Sequence, residues 1–227
     1  ALRYLEQSFL TDPERRKYNK VVFIKQRSNI ISIANTFKEA LNNNDFKRAI
    51  YDLLKYSKIH HDLRYKDTDA HNLVIGEQYT RKDTSWLLNW ENNRAGVING
   101  YMLNHATKTI PLFVTYSKSE SIDASINYND YFINNETFHW QSKNNRSLES
   151  KEIIMINNAK ELGYSVLLFV KRSDGEEQQF YYLGELDPKA WEQSSIYSKG
   201  KDLPVVNVIY KIKTPVKEDL YSYLTEK

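Results

Sequence analysis

Between Pro111 and Lys213 the chain carries six runs of β-branched and aromatic residues: Pro111 to Tyr116, Tyr128 to Ile133, Thr137 to Ser142, Ser165 to Arg172, Gln179 to Leu186 and Pro204 to Lys213. Their length and the polar stretches between them constrain the fold more than any other feature, because such runs read as strands. Asp174 and Gly175 sit between two of them and give the strongest hairpin signal in the chain. The spacing predicts hairpins and a meander rather than strand-helix-strand crossovers. The expected result is a curved, mostly antiparallel sheet or partial barrel.

The region before these strands reads as helix. With Ser28 as an N-cap, Ile30, Ala34, Phe37 and Leu41 recur at helical spacing, and Asn42 to Asn44 closes that segment. Asp45 then caps a second helix with Phe46, Ala49, Ile50, Leu53 and Leu54 on one face, and the two are expected to pair as a hairpin. Leu2 to Leu10 and Pro13 to Gln26 read as further helical pieces, Ile59 to Glu77 as a connector, and Arg81 with Asp83 as the start of a short helix through Leu88. The fold class is therefore α+β, with a helical subdomain at residues 1–75 and a β-rich domain at residues 76–227.

Several chemistries are excluded by what is missing. With no cysteine, the chain has no disulfide, no thiolate zinc site and no cysteine nucleophile, and a reducing, cytoplasmic location is the natural expectation. Seven glycines do not supply a phosphate-cradling loop, and neither a G-x-S-x-G elbow nor an H-E-x-x-H pair occurs. No cofactor is implied. The cluster His60, His61, Asp62, Asp67, Asp69 and His71 could ligate a metal, but it follows no ligand spacing and reads better as a solvated connector. His105 and His139 read as hydrogen-bonding structural residues. A net charge of +3 permits a nucleic-acid partner, and 17 tyrosines with 4 tryptophans suit an aromatic core, a binding surface, or both.

The succession Phe113-Val114-Thr115-Tyr116, Tyr128-Asn129-Asp130-Tyr131-Phe132, Phe138 to Asn144, Leu168 to Arg172, Phe180 to Gly184 and Pro204 to Val208 resembles a known family. It is the C-terminal domain of unknown function found behind a phospholipase-D-type nuclease and a superfamily 2 helicase in bacterial proteins. Among these the chain looks most like the target recognition domain of a modification-dependent restriction enzyme directed at 5-methylcytosine. The resemblance implies a non-catalytic domain that binds double-stranded DNA containing 5-methylcytosine. It also implies nuclease and helicase domains upstream in the same polypeptide, and a role in defence against foreign DNA.

The residues that would do the reading follow from chemistry. A modified base can be contacted in the groove or flipped into a pocket with aromatic walls and an acceptor for the exocyclic amine. On extended strands Tyr128, Asp130 and Phe132 share one face, and Phe138, Trp140 and Ser142 share one face of the next, joined by the turn Asn134-Asn135-Glu136. Tyr128, Asp130 and Trp140 are thus the pocket candidates, with core packing the competing role for Phe132, Phe138 and Trp140 and a turn-pinning role for Asp130. Ser142, Lys143, Asn144, Asn145 and Arg146 form a polar, basic loop suited to the DNA backbone. Two other readings compete. One is a dimerisation or coupling module that self-associates through the helical half, and the other is an enzyme with a metal site around His60 to His71.

Overall fold

The computed structural model describes residues 2–117, 129–173, 175, 178–198 and 200–226. The chain divides into two compact units, Ala1–Val74 with Lys82–Gly96, and Ile75–Arg81 with Val97–Lys227. No helix among the described residues is long and apolar enough to cross a membrane.

In the first unit, α1 (Leu2–Leu5) and α2 (Asp12–Lys17) precede a hairpin of β1 (Ile24–Arg27) and β2 (Ile30–Ile33), followed by α3 (Asn35–Ala40) and α4 (Asn44–Arg64). The hairpin overturns the helix expected from Ser28. Arg27 pairs with Ile30, so Ser28 and Asn29 form a two-residue turn, and Ser28 takes a φ of 51° that a helix cannot accommodate. The β-branched run Ile30-Ile31-Ser32-Ile33 prefers the pleated state, which leaves α3 too short to form the expected helical hairpin. Asn43, not Asp45, caps α4, its Oδ1 accepting from Phe46 N at 2.9 Å. That helix runs into the expected connector as far as Arg64, and none of its described side chains is buried.

Most of α5 (Arg81–Leu87) also belongs to this unit. Trp86 meets Tyr4 and Phe9 edge-on at 4.6 and 5.2 Å, and Leu73, Leu88 and Trp90 are buried in the same unit. Glu14 ties the pieces together. It accepts from Thr11 N (2.9 Å), Lys82 Nζ (2.6 Å) and Asn93 Nδ2 (3.1 Å). Partial burial pushes its carboxyl up, but the hydrogen bonds from Lys82, Thr11 and Asn93 outweigh that and hold it at about 2.

The second unit is a seven-stranded sheet that curls into a half-barrel. Its strands are β3 (Gln78–Tyr79), β4 (Thr109–Ser117), β5 (Tyr131–Asn134), β6 (Thr137–Gln141), β7 (Ser165–Ser173), β8 (Phe180–Ser198) and β9 (Lys201–Ile212), in the order β4-β7-β8-β9-β6-β5 with β3 on β8. All pairs are antiparallel except β4 with β7, which run parallel from Thr109↔Ser165 to Ser117↔Ser173. The sheet is thus mostly antiparallel, but it is not a simple meander, because β5, β6 and α6 (Lys151–Asn157) intervene between β4 and its partner. β7 and β8 do pair antiparallel around Gly175, while Asp174 lies outside the described residues.

β8 is longer than expected. A register shift between Pro188 and Ala190 accommodates the proline, and the strand continues to Ser198 against β9. One face of the sheet buries Leu112, Val114, Phe132, Phe138, Trp140, Val166, Leu168, Val170, Val206, Val208 and Tyr210, closed by Ile153 and Ile156 of α6 and Leu224 of α7 (Glu218–Thr225).

Candidate nucleic-acid interface

The β5–β6 hairpin positions most of the candidate residues. Its turn is fixed by Asn134 Oδ1, which accepts from Glu136 N at 2.9 Å. The register Tyr131↔His139 and Phe132↔Phe138 fixes the faces. Phe132, Phe138 and Trp140 turn into the core, so Tyr131, His139 and Gln141 lie on the opposite face.

On that face Tyr131 stacks on His139, with centroids 4.5 Å apart and an interplanar angle of 15°. Tyr131 keeps 38% of its surface exposed, whereas His139 keeps 7%. The histidine is the hydrogen-bonding structural residue expected, its Nδ1 lying 2.8 Å from Asn129 O. A planar ring backed by a buried imidazole forms a platform on which a base could stack. Next to it, Asp130 Oδ1 accepts from Gln141 N at 2.9 Å, so the carboxylate is pinned to the end of β6. Asn129 N donates to Gln141 Oε1 at 3.3 Å and completes the clamp on the Asn129-Asp130 corner.

Trp140 is not a wall on this face. It is 4% exposed and packs edge-on against Tyr101 at 5.2 Å, with Tyr210 on its core side at 6.3 Å. A base could reach it only by displacing core residues. Tyr128 lies outside the described residues. Of the three pocket candidates, Asp130 alone lies at the Asn129–Tyr131 corner with its carboxylate held by Gln141 N.

The loop after β6 is partly turned inward. Ser142 is fully buried, and its Oγ accepts from Val206 N at 2.8 Å and donates to Lys143 O at 3.1 Å. This corrects its assignment to the DNA backbone, since its hydroxyl is committed within the chain. Lys143 Nζ lies 4.1 Å from the Tyr101 ring centroid and donates to Tyr101 O at 3.3 Å. Burial lowers the pKa of Lys143 from the ordinary lysine value, and the neighbouring Arg146 lowers it further. Arg146 is ion-paired with Glu152 and donates through Nη1 to Asn145 O at 3.1 Å. Asn144 is partly buried, and Asn145 is exposed with a φ of 58°.

Sequence reasoning missed Tyr131 and Gln141 as the residues facing away from the core. Period-two alternation puts Tyr131 and Gln141 on the face opposite Phe132 and Phe138, but which face meets water depends on what covers the sheet. The other polar cluster holds no site geometry: His60, His61 and Asp62 lie on α4, and Asp69 Oδ1 accepts from His71 N at 2.8 Å and Leu73 N at 3.2 Å. Among the described residues no three of His, Asp and Glu come together as a metal-binding group.

No curated protein matches the chain. Among solved structures, it is similar to the DNA modification-dependent restriction endonuclease AspBHI, with a TM-score of 0.44 and 10% identity over 67% of this chain and 81% of that one. It is also similar to the SUVH5 SRA domain solved with fully methylated CG DNA (TM-score 0.41, 13% identity, 66% of this chain and 95% of that one). A third similarity is to the MspJI restriction endonuclease in complex with a 27-mer oligonucleotide (TM-score 0.37, 10% identity, 50% of this chain and 31% of that one). Two family models match, DUF8090 over residues 1–66 and DUF3427 over residues 73–224, both described as domains of unknown function. The second model spans more than half of the chain, and the protein belongs to the DUF3427 family.

Proposed function

We propose that the sheet unit is the target-reading, non-catalytic domain of a modification-dependent restriction enzyme and that it binds double-stranded DNA containing 5-methylcytosine. The observation that carries this reading is the Asn129–Tyr131 corner. An exposed ring backed by a buried imidazole stands beside a carboxylate held by the main chain of β6. In a flipped-base arrangement Tyr131 would stack on the base and Asp130 would accept from the cytosine amine. Lys143, Asn144, Asn145 and Arg146 would meet the backbone, which carries affinity but little sequence information. The finer resemblance in sequence, to the target recognition domain of the restriction enzyme SauUSI, supports the same division of labour. In it an upstream nuclease and helicase act, in the cytoplasm, on what this domain identifies.

The test is a titration of the chain with one duplex, with and without 5-methylcytosine, at one fixed salt concentration. Tighter binding of the methylated duplex is expected, and equal affinities overturn the reading. A second role, assembly, is favoured by α4, on which Leu53, Leu54, Tyr56, Ile59 and Leu63 are all exposed. Large exposed apolar surfaces mark interaction sites. A chain that stays monomeric at every concentration, and that does not associate with the nuclease and helicase, would remove this role.

A further inference from the structure

The face that carries Tyr131 contains a second feature, a line of side-chain amides that ends on a carboxylate. Gln141 Nε2 donates to Asn207 Oδ1 at 3.0 Å, and Asn207 Nδ2 donates to Glu192 Oε1 at 3.4 Å. Register places the three side by side across β6, β9 and β8, since Gln141 pairs with Asn207 and Asn207 with Glu192. Gln141 is 6% exposed, so its amide has little access to water and depends on these partners.

The line has a fixed polarity. Asn129 N is a main-chain donor, so Gln141 must turn its oxygen toward it and its amino group toward Asn207. Asn207 must then offer Oδ1 to Gln141 and its amino group to the far side. Glu192, when ionised, only accepts. Both ends therefore demand the same orientation of both amides, and every member is satisfied at once. The consequence falls on Asp130, because the residue whose side chain is locked by this line is the one whose main-chain N–H holds Asp130 Oδ1.

We infer that Gln141 is a positioning residue for Asp130, and that Glu192, through Asn207, sets the orientation in which Gln141 holds the Asn129-Asp130 corner. The inference rests on the proposal that this corner reads the modified base. It deepens that proposal by assigning part of the specificity to an exposed residue on β8 that is two side chains removed from the corner. Reversing the charge at position 192 makes the line inconsistent. A lysine donates where Glu192 accepted, which favours Asn207 with its oxygen outward and its amino group toward Gln141. Gln141 must then accept from Asn207 and present its own amino group to Asn129 N, donor against donor.

The experiment compares Glu192→Lys, Glu192→Gln and Gln141→Leu with the unaltered chain, measuring affinity for the methylated and the unmethylated duplex together with thermal stability. Glu192→Gln keeps an oxygen for Asn207 and should keep the methylated-to-unmethylated ratio. Glu192→Lys and Gln141→Leu should lower that ratio by about fivefold to tenfold, the effect of one displaced hydrogen bond to the base. Because position 192 is exposed, Glu192→Lys should fold normally, and it serves as the test even if Gln141→Leu does not fold. A merely structural line would change stability and leave the ratio alone. If the unaltered chain discriminates and folded Glu192→Lys keeps the full ratio, the positioning line is overturned while base reading stands. If the unaltered chain does not discriminate at all, base reading falls and takes this inference with it.

Discussion

Two aromatic truncations on the same hairpin should separate the core from the reading face. Trp140 is 4% exposed and packed between Tyr101 and Tyr210, so Trp140→Ala removes a core side chain. Such truncations cost about 3–5 kcal/mol. For a domain of this size each kcal/mol lowers the melting temperature by about 2–4 °C, which gives a drop of roughly 6–20 °C. Tyr131 is 38% exposed and loses mainly its stack on His139, worth about 0.5–1.5 kcal/mol, so Tyr131→Ala should cost no more than roughly 6 °C. Binding should show the opposite order. Stacking of a base on an aromatic ring contributes about 1–3 kcal/mol, so Tyr131→Ala should lose roughly fivefold to 150-fold in affinity for methylated duplex. Trp140→Ala, measured at a temperature where it is fully folded, should keep its preference for the methylated duplex. Calorimetric unfolding and fluorescence anisotropy decide the matter. A small stability loss with abolished discrimination for Trp140→Ala, and intact binding for Tyr131→Ala, would refute the assignment of faces.

Three further outcomes follow from groups described above. Because the folded carboxyl of Glu14 is held at about 2, below its ordinary value of 4.5, its contribution to stability is present above that value and is lost as pH falls toward 2. Glu14→Gln should therefore be less stable at neutral pH and converge with the unaltered chain in acid, and parallel acid-unfolding curves would contradict this. Lys143 has a lowered pKa in the free protein, and a phosphate contact would raise it, so binding takes up a proton. Affinity should fall as pH rises through the alkaline range below the ordinary lysine value, and Lys143→Arg should flatten that dependence. Equal pH profiles would remove Lys143 from the backbone contact. Ser142→Ala leaves Val206 N without its acceptor and should cost about 1–3 kcal/mol in unfolding measurements, with the salt slope of DNA binding unchanged. A changed slope would restore Ser142 to the interface.

The strands from Pro111 onward were legible because each run carries its own preference, and β4, β6, β7 and β9 lie where alternation and turns put them. The first half was harder. Ile30, Ala34, Phe37 and Leu41 satisfy a helical period, but Ile30, Ile31 and Ile33 satisfy a strand equally well, and a two-residue turn at Ser28 tips the choice. The strand expected from Gln179 to Leu186 runs on past Pro188, because a bulge that tolerates proline cannot be seen in one sequence. In the site, the sharing of a face by Phe138 and Trp140 was readable. Which face meets water was not, since that depends on α6 and α7 covering one side of the sheet. The inward turn of Ser142 was equally hidden, because its partner Val206 lies on a distant strand.

The parallel pairing of β4 with β7 also sets the order in which this unit can be built. β4 leaves the ribosome carrying Ile110, Leu112 and Val114, yet the strand that hydrogen-bonds along it is made only after β5, β6 and α6. Closing that long loop costs entropy before any contact rewards it. A nascent chain that ends after β6 therefore holds β4 with only its bridges to Tyr101 and Asn104, an apolar strand with an open edge. Completion of β7 pairs that strand, and β8 and β9, made later still, join it to the β5–β6 hairpin.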